Sequence, residues 1–414
     1  MSKCFDKSLF FLVISALLIC GQACNHVLDP KPFPQEYTLS SERVSLKEGV
    51  PRSMEIKNGF LLMLMKDYIY CYSIFDHSIS YRSRSQINAQ WYQFLGSSSP
   101  HLYFMDVNNK NEIRKYGIDA LGQTVLLQTG HAGMNTTVNR PYILHDSLIV
   151  YDEFIPEAAV KIRNLYTNAV TRTLPYGSTS LEDRFYDPNM GGLYANDSCI
   201  AFAYKYQDKI DFYDWQFNLI QSVNHQQSEP VIYKEESKYL DNVHYYGYSY
   251  MGRNYFYTLY RGVRNKVFYA DSLQIYKTLY DYGMSCEVLE VYDLDGRAVC
   301  RFRFADMTPS AFVVDEEQNI LLGQRLAYPD SLLLYHLQGL PKNGSKYPDT
   351  EKNSCLSFPQ LPPPEAPKEV VYYERYRSYD RRDYPTYWVY GEFYMINGLS
   401  RAPEAQGAVT VAVQ

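Results

Sequence analysis

Residues 195–214 read ANDSCIAFAYKYQDKIDFYD, and this stretch contains the pattern on which the fold depends. The apolar runs 199–204 and 210–213 have the length of short strands, and polar residues separate them. Short apolar runs bounded by Asn, Asp, Gly or Pro predict β-strands, and two such runs around a turn predict an antiparallel hairpin. The segment therefore predicts one hairpin of a β-rich fold.

Five further pairs of apolar runs surround this hairpin in the chain. They lie at 60–65 and 68–72, 102–107 and 113–116, 148–151 and 160–162, 255–260 and 288–292, and 320–326 and 332–335. The second run of every pair ends in a three-residue phrase, which reads Tyr72-Ser-Ile, Tyr116-Gly-Ile, Arg163-Asn-Leu, Tyr213-Asp-Trp, Tyr292-Asp-Leu and Tyr335-His-Leu. Successive phrases are 44, 47, 50, 79 and 43 residues apart.

This spacing predicts a β-propeller. A four-stranded antiparallel blade occupies about 40–50 residues, and the long step is typical of loops inserted into an intact blade. We therefore predict an all-β, six-bladed β-propeller of four-stranded antiparallel blades over residues 37–341. The N-terminal strand, 37–46, is expected to join the last blade and close the ring. A pair of β-sandwiches also has short, evenly spaced strands, but it does not explain the repeated phrase.

Three segments carry a resemblance to a known family. Residues 195–214, 287–299 (EVLEVYDLDGRAV) and 330–340 (DSLLLYHLQGL) resemble the TolB-like six-bladed propeller lipoproteins of Gram-negative envelopes. The resemblance covers residues 24–342, and its motifs are blade phrases and not catalytic signatures. It implies a periplasm-facing protein, anchored in the outer membrane, whose propeller offers an interaction surface.

The first 23 residues have the features of an export signal peptide. Lys3 and Lys7 precede the apolar run 9–20. This run is too short to span a bilayer as a helix, for which about 20 residues are needed, but it suits the core of a signal peptide.

The end of this signal predicts a lipid anchor. Small residues precede Cys24 in Gly21-Gln22-Ala23-Cys24, which resembles the lipobox of bacterial lipoproteins, although Gly21 stands where that motif usually has Leu. We predict cleavage after residue 23, acylation of Cys24 and a lipidated linker over 24–36. Because Asn25 and not Asp follows the cysteine, an outer-membrane lipoprotein facing the periplasm is expected, and exposure at the cell surface stays open. Ordinary secretion is the alternative.

Composition excludes several classes of protein. The 414 residues include 42 Tyr, 20 Phe and 3 Trp, with only 21% charged residues, which excludes a disordered chain and a coiled coil. The mean hydropathy of −0.36 excludes a polytopic membrane protein. A net charge of −6 provides no basic surface for a phosphate backbone, so we expect no nucleic-acid partner.

No catalytic signature occurs in the sequence. It contains no Gly-x-Ser-x-Gly elbow, HExxH helix, phosphate-binding Gly loop, CxxC pair or sialidase Asp-box, and its eight His residues are scattered. We therefore predict no catalytic residue, no metal and no cofactor.

The cysteines after Cys24 do not form a disulfide framework. They stand at 71, 199, 286, 300 and 355, an odd number at irregular spacing, so buried thiols are expected. In the hairpin that contains Cys286 and Cys300, a two-residue Asp295-Gly296 turn would place Cys300 opposite Val291 and not opposite Cys286.

A tyrosine-rich segment is the best candidate for a binding site. Residues 239–260 contain eight Tyr in 22 positions, together with Gly, Ser, Asn and Arg, which is a composition typical of recognition surfaces. Part of this segment is expected to be strand, notably Tyr255, Tyr257 and Tyr260. The predicted binding residues, placed on an inserted loop of blade five, are Tyr245, Tyr246, Tyr248, Tyr250 and Arg253.

Three Asp-Ser-Leu triplets, which begin at Asp146, Asp271 and Asp330, resemble an O-glycosylation sequon of bacterial envelopes. The same triplets suit a turn that enters a strand, because Asp and Ser side chains bond to nearby backbone groups. Both interpretations are open from the sequence.

The C-terminal tail, residues 342–414, differs from the rest of the chain. LPPPEAP (361–367) predicts a semi-rigid polyproline II spacer, and eight Tyr and four Arg lie between 372 and 394. We expect a Pro- and Tyr-rich appendage that is β-rich or partly disordered.

The sequence leaves two functional hypotheses. The first is a monomeric, lipid-anchored propeller that binds a protein, peptide or glycan partner without catalysis. The second is a propeller enzyme, a hydrolase or lyase acting on envelope or dietary glycans in the central funnel. Two or more convergent carboxylates in the funnel wall would favour the enzyme, whereas Tyr, Asn and backbone groups would favour binding.

The lipid anchor can be tested directly. Cells that express the full chain or its Cys24→Ala variant are labelled with palmitate, and the purified proteins are compared for bound label. We expect the variant to lose the label because acylation requires the thiol. Undiminished label on Cys24→Ala would contradict the prediction.

Overall fold

The computed structural model describes residues 33–46, 51, 53–65, 68–87, 92–106, 112–131, 138–153, 158–177, 187–225, 230–233, 242–264, 288–324 and 331–340. Twenty-five β-strands and no helix occur in these residues. The all-β class predicted from the alternating pattern is therefore confirmed. The predicted signal peptide, Cys24 and the tail 342–414 lie outside the described residues.

The strands form units of four antiparallel strands that follow one another along the chain. The first strands of the second and third units also pair in parallel, which joins these two units into one eight-stranded sheet. Unit I comprises β3 (Ser53–Lys57), β4 (Phe60–Leu64), β5 (Tyr68–Phe75) and β6 (Ser78–Gln86), and unit II comprises β7 (Tyr92–Ser97), β8 (Leu102–Asp106), β9 (Glu112–Ile118) and β10 (Thr124–His131). Unit III comprises β11 (Val138–Leu144), β12 (Leu148–Glu153), β13 (Ala159–Asn164) and β14 (Val170–Pro175), and unit IV comprises β15 (Gly191–Ala195), β16 (Ile200–Tyr204), β17 (Lys209–Tyr213) and β18 (Leu219–Asn224).

The last two units include strands from the N-terminal segment. Unit V comprises β19 (Val243–Met251), β20 (Tyr255–Arg264), β21 (Val288–Asp293) and β22 (Ala298–Phe304), with β1 (Glu36–Leu39) parallel to β22 at its edge. Unit VI comprises β23 (Ala311–Asp315), β24 (Ile320–Gln324) and β25 (Ser331–His336), and its fourth strand is β2 (Glu42–Ser45), antiparallel to β25. The expected pairing of the N-terminal segment with the last unit thus occurs over four residues. The residues just before them pair with unit V instead.

The repeated phrase marks the same place in every unit. The six strand pairs predicted from the sequence are the second and third strands of units I to VI, and the phrase begins at or near the end of the third strand. Most of its first and third positions are buried, namely Tyr72, Tyr116, Tyr292, Tyr335, Ile74, Leu165, Leu294 and Leu337. The phrase is therefore a feature of the core.

A β-bulge accompanies the phrase in units I to V. The register between the third and fourth strands shifts at the first residue of the phrase, for example between Cys71 and Tyr72 in unit I and between Phe212 and Tyr213 in unit IV. Units II, III and V have the same shift. Because a bulge bends its strand and increases the twist, it gives the outer edges of these units a common shape.

The hydrophobic core lies between the units. Each of six buried clusters combines side chains from two units that are neighbours in the cyclic order I–II–III–IV–V–VI–I. The first strands follow the same order, since β3 contacts β7, β7 contacts β11, and the series continues through β15, β19 and β23 back to β3. Strands buried on both faces read as continuous apolar runs, which explains segments such as Ile320–Gln324.

Buried tyrosines explain part of the unusual composition. Their rings fill the space between units, and their hydroxyls donate hydrogen bonds to carboxylates. Examples are Tyr204 to Asp211 at 2.8 Å and Tyr292 to Glu290 at 2.8 Å. A buried hydroxyl needs a hydrogen-bond partner, and at these positions a carboxylate supplies it, whereas Tyr335 donates to the backbone carbonyl of Met307.

The hairpin between β21 and β22 corrects one sequence prediction. Asp293 N donates to Arg297 O, and Gly296 has a φ of +80°, so the loop has three residues and not two. The bulge in β22 compensates for the extra residue, and Cys300 lies opposite Val291 as predicted.

The described cysteines are buried thiols. Cys71, Cys199 and Cys300 form no disulfide, and burial raises their pKa to about 11, about 12 and about 12. The other two predicted thiols, Cys286 and Cys355, lie outside the described residues.

Three glycine variants separate two reasons for a glycine in a hairpin turn, namely a positive φ and close packing against a neighbouring unit; Gly59 and Gly122 lie in such turns, and Gly130 lies within β10. Gly122 has a φ of +79°, and a Cβ there would lie 2.3 Å from Cys71 Sγ of the neighbouring unit. Gly59 has a φ of +73° with no atom within 4 Å of the added carbon, and Gly130 has neither constraint. We expect Gly59→Ala to cost about 1–2 kcal/mol, because L-residues disfavour this region.

Gly122→Ala should cost about 1–3 kcal/mol more than Gly59→Ala, because overpacking adds to the backbone cost. Gly130→Ala should change the free energy of unfolding by less than about 0.5 kcal/mol. Urea unfolding of the three variants measures these differences. Equal losses for Gly122→Ala and Gly59→Ala would contradict the close approach of units I and II.

Candidate functional site

The turns after the first strands lie together at one end of the molecule. They comprise residues 57–60, 97–102, 144–148, 195–199, 251–255 and 315–320, all of which the structure describes. We call this group of turns the inner-turn face. Asn, Asp, Gly and Ser supply the conformations that tight turns need, and Asn58, Gly59, His145, Asp146 and Asn319 have positive φ.

Polar contacts join each unit to the next at or beside this face. The contacts are Lys57 Nζ to Ser97 O, His145 N to Ser98 Oγ (3.0 Å), Tyr142 Oη to Asp197 Oδ1 (2.6 Å), Asn196 Nδ2 to Gly252 O (2.7 Å), Asn254 Nδ2 to Glu316 Oε2 (2.9 Å), and His77 Nδ1 to Gln318 O (2.8 Å). Together they connect the six units in cyclic order. The turns are therefore held in place by their neighbours as well as by their own strands.

Glu55 and Lys57 form a recessed pair below this face. They stand two residues apart on β3, so they share a face of that strand, and Lys57 Nζ lies 3.8 Å from Glu55 Oε1. The side chains are 15% and 12% exposed, so they are deep but still reachable by solvent. Burial raises the pKa of Glu55 to about 7, and Lys57 opposes this shift. Burial lowers the pKa of Lys57, while Glu55, Asp197 and Asp146 oppose that change.

Tyr142 brings a phenol from unit III to the same region. Its ring is buried, and its hydroxyl donates to the exposed Asp197 of unit IV. Burial, followed by the charge of Asp197 and this hydrogen bond, raises the pKa of Tyr142 well above its ordinary value. The phenol therefore stays protonated at neutral pH and acts as a hydrogen-bond donor.

Tyr250 and Glu316 contribute from units V and VI. Glu316 is half-buried and accepts hydrogen bonds from Asn254 N (2.9 Å), Tyr255 N (3.2 Å) and Tyr257 Oη (3.2 Å). Burial raises the pKa of Glu316 against these donors. Burial also raises the pKa of Tyr250, and the charges of Glu55 and Glu316 add to that shift.

The tyrosines predicted to form a binding loop lie on a strand. Tyr245, Tyr246, Tyr248 and Tyr250 all belong to β19, which corrects the expectation of an inserted loop. Tyr246 is buried and donates to Asp208 Oδ1 at 2.8 Å, and Tyr248 packs edge-on against Phe312. The apolar alternation at 246, 248 and 250 is the signal that could have identified the strand.

The predicted set also divides between the two ends of this strand. Tyr250 lies at the inner-turn end, and Arg253 is exposed in the turn that follows. Tyr245 N bonds to Lys205 O at the opposite end, about 17 Å from Tyr250 along an extended strand. The structure therefore brings only Tyr250 and Arg253 of the predicted residues to the face that carries Glu55 and Asp197. Tyr255, Tyr257 and Tyr260 lie on β20, as predicted.

Sequence reasoning did not select Glu55, Lys57, Tyr142, Asp197 or Glu316. The first and last of these are 261 positions apart, and no local motif links them. Their common signal is their place at the end of the first strand, or in its turn, in four different units. That signal appears only after the units have been aligned on the repeated phrase.

The Asp-Ser-Leu triplets occupy turns or strands where they are described. Ser331 is buried within β25, opposite Ser45 of β2, so the fold does not present it for modification. Ser147 is half-buried in an inner turn, where Asp146 accepts hydrogen bonds from Tyr103 Oη (2.7 Å) and Lys115 Nζ (2.8 Å). The triplet at 271 lies outside the described residues.

Two features of functional interest are absent from the described residues. They contain no group of three His, Cys, Asp or Glu side chains placed to hold a metal ion. They also contain no helix with the length and apolar character to cross a membrane. No protein-family model matches this chain, and no curated protein matches its sequence.

The raised pKa of Glu55 predicts a pH-dependent stability. Its folded value of about 7 lies above its ordinary value of 4.5, so the folded chain binds this proton more tightly. Stability contributed by this group should therefore fall as the pH rises from about 4.5 to about 7. Relative to the wild type, Glu55→Gln should gain about 1–3 kcal/mol at about pH 8 and nothing at about pH 4.

Urea unfolding at several pH values measures this difference. Glu317→Gln is the control, because Glu317 is exposed in a turn of the same face. An equal pH profile for the two variants would contradict the desolvated position of Glu55.

Proposed function

We propose that this chain is a lipid-anchored, TolB-like six-bladed β-propeller of the cell envelope that binds a protein, peptide or glycan partner through its inner-turn face. In this proposal Cys24 carries the anchor, and the protein is an outer-membrane lipoprotein that faces the periplasm as a monomer. Binding requires neither a cofactor nor a catalytic step.

The arrangement of the strands supports the propeller. Units I to VI are four-stranded, their first strands contact one another in a closed cycle, and their cores lie between neighbours in the same order. The fourth strand of unit VI comes from the N-terminus, which is how a ring of blades closes when its first and last strands share a blade.

The observation that carries the binding function is the convergence of side chains from five units on the inner-turn face. Glu55, Tyr142, Asp197, Tyr250 and Glu316 each come from a different unit. Loops held by a rigid scaffold are where binding residues concentrate, and the contacts between turns supply that rigidity. Exposed polar groups beside half-buried aromatic rings suit a partner that offers both hydrogen bonds and apolar surface.

The exposed residues of the face define the test. Asp197 and Arg253 are exposed in adjacent units, so Asp197→Ala and Arg253→Ala remove binding groups without opening the core. Tyr81→Ala is the matched control, because Tyr81 is 52% exposed on an outer strand. Mature protein and variants are immobilised, and the envelope proteins and glycans that each retains are quantified.

We expect a defined component to be retained by the wild type and by Tyr81→Ala. The two face variants should hold it about tenfold more weakly, since truncating an important contact costs about 1–2 kcal/mol. Equal retention by all four proteins, or none by the wild type, would contradict binding at this face.

One observation favours the second candidate, a hydrolase or lyase acting on glycans. A carboxyl group with a pKa of about 7, such as Glu55, suits general acid or base catalysis near neutral pH. Incubation with envelope glycans distinguishes the two functions. Product formation that Glu55→Gln abolishes would establish the enzyme, and unchanged glycans would favour the binding module.

A further inference from the structure

Lys57 places a primary amine at the base of the inner-turn face. We propose that this amine forms a reversible imine with a neutral carbonyl ligand, the aldehyde form of a reducing sugar. The inference rests on the proposed function in one respect, namely that the inner-turn face is the binding site.

The position of Lys57 is fixed by the fold. It is the last residue of β3, and its Nζ donates to the carbonyl oxygen of Ser97 in unit II. Its side chain is 12% exposed, which keeps the amine reachable in a recessed place. A nucleophile in such a place is held still and is shielded from competing solvent.

The ion pair of Lys57 is long in comparison with other lysines in the described residues. Lys57 Nζ lies 3.8 Å from its nearest paired carboxylate oxygen, on Glu55. The corresponding distances are 2.5 Å for Lys161 with Glu153, 2.8 Å for Lys115 with Asp146 and 2.8 Å for Lys209 with Asp211. A short ion pair stabilises the ammonium form, which is not nucleophilic, so among these four lysines Lys57 has the ammonium least stabilised by a carboxylate, and its hydrogen bond to Ser97 O orients the nitrogen.

The groups that face Lys57 determine its protonation. Glu55, Asp197 and Asp146 favour the ammonium, whereas burial disfavours it more strongly and lowers the pKa of Lys57. His101 also faces this region, and its pKa is lowered by burial first and by Lys115 and Lys57. Glu55 is partly protonated near pH 7 and is therefore able to give and take protons beside the amine.

The chemical step is a condensation without redox change. The neutral Lys57 nitrogen attacks the carbonyl carbon, a C–N bond forms, and the π electron pair moves to the oxygen, which takes a proton from protonated Glu55. The nitrogen of this adduct now carries a positive charge, and it donates one proton to the Glu55 carboxylate. The nitrogen lone pair then expels the hydroxyl as water, with that proton supplied by Glu55. One amine and one aldehyde thus give one protonated imine and one water after proton exchange with solvent.

The charges around the amine select a neutral ligand. Asp197 and Asp146 act on the amine with negative charge, which disfavours an anionic carbonyl compound such as a keto acid. Carboxylates accept hydrogen bonds from sugar hydroxyls, and the half-buried ring of Tyr250 suits the apolar face of a sugar. A polyhydroxy aldehyde satisfies both features.

Reductive trapping tests the proposal. The mature protein is incubated near pH 7 with glycolaldehyde and sodium cyanoborohydride, and peptide mapping measures the labelled fraction of each lysine. Lys161 is the internal control, since its side chain is 14% exposed and paired with Glu153. We expect Lys57 to carry several-fold more label than Lys161, and Glu55→Gln to slow labelling of Lys57 several-fold.

Label on Lys57 no greater than on Lys161 would overturn the proposal, and this comparison needs no variant. Lys57→Arg should abolish the enhanced labelling at position 57 without changing the labelled fraction of Lys161. Unchanged labelling of Lys57 in Glu55→Gln would contradict the proton transfers assigned to Glu55. Partner retention without Lys57 label would reject the imine alone, whereas Lys57 label without any retained partner would reject the proposed binding function alone.

Discussion

The packing of one four-stranded unit against the next is the interaction on which the rest of this structure depends. Each of the six buried clusters in the described part of the chain takes side chains from two neighbouring units. The second and third strands are therefore covered on both faces, and they need continuous apolar runs. The tyrosine that begins most of the repeated phrases also suits a buried position, since its ring packs between units while its hydroxyl forms a hydrogen bond.

Packing of this kind has a consequence for the turns. When the first strands contact one another in a cycle, the turns that follow them meet at one end, although they are far apart in the chain. Bonds such as Tyr142 to Asp197 and Asn196 to Gly252 then fix each turn against the next. Structural contacts therefore set the arrangement of the polar groups on this face. Such preorganisation suits the binding function that we propose.

The same arrangement explains the unusual electrostatics below the face. Glu55 and Lys57 lie on the innermost strand of unit I, where the surrounding units exclude most of the water. Burial therefore raises the pKa of Glu55 to about 7 and lowers the pKa of Lys57. In an isolated hairpin these two residues would be solvated and would keep their ordinary pKa values.

How well the sequence predicted the structure differs from one element to the next. Hairpins such as β16 and β17 were predictable because their apolar runs and turn residues lie within about 20 positions and act locally. The three-residue loop at Gly296 was not predicted, because a bulge in the facing strand compensates for the added residue. The strand β19 was mistaken for a loop, since composition rich in Tyr, Gly and Ser outweighed an alternation that was visible at 246, 248 and 250.

Local patterns in the chain were enough for the all-β class, the hairpins and the repeated phrase, because each depends on residues that are close together in sequence. The grouping of Glu55, Tyr142, Asp197, Tyr250 and Glu316 was decided only by the tertiary structure. These residues span 261 positions, and nothing brings them together until neighbouring units bury their shared apolar faces. The burial that raises the pKa values of Glu55, Tyr142, Tyr250 and Glu316 arises from the same long-range packing, so it has no counterpart in any local stretch of the sequence.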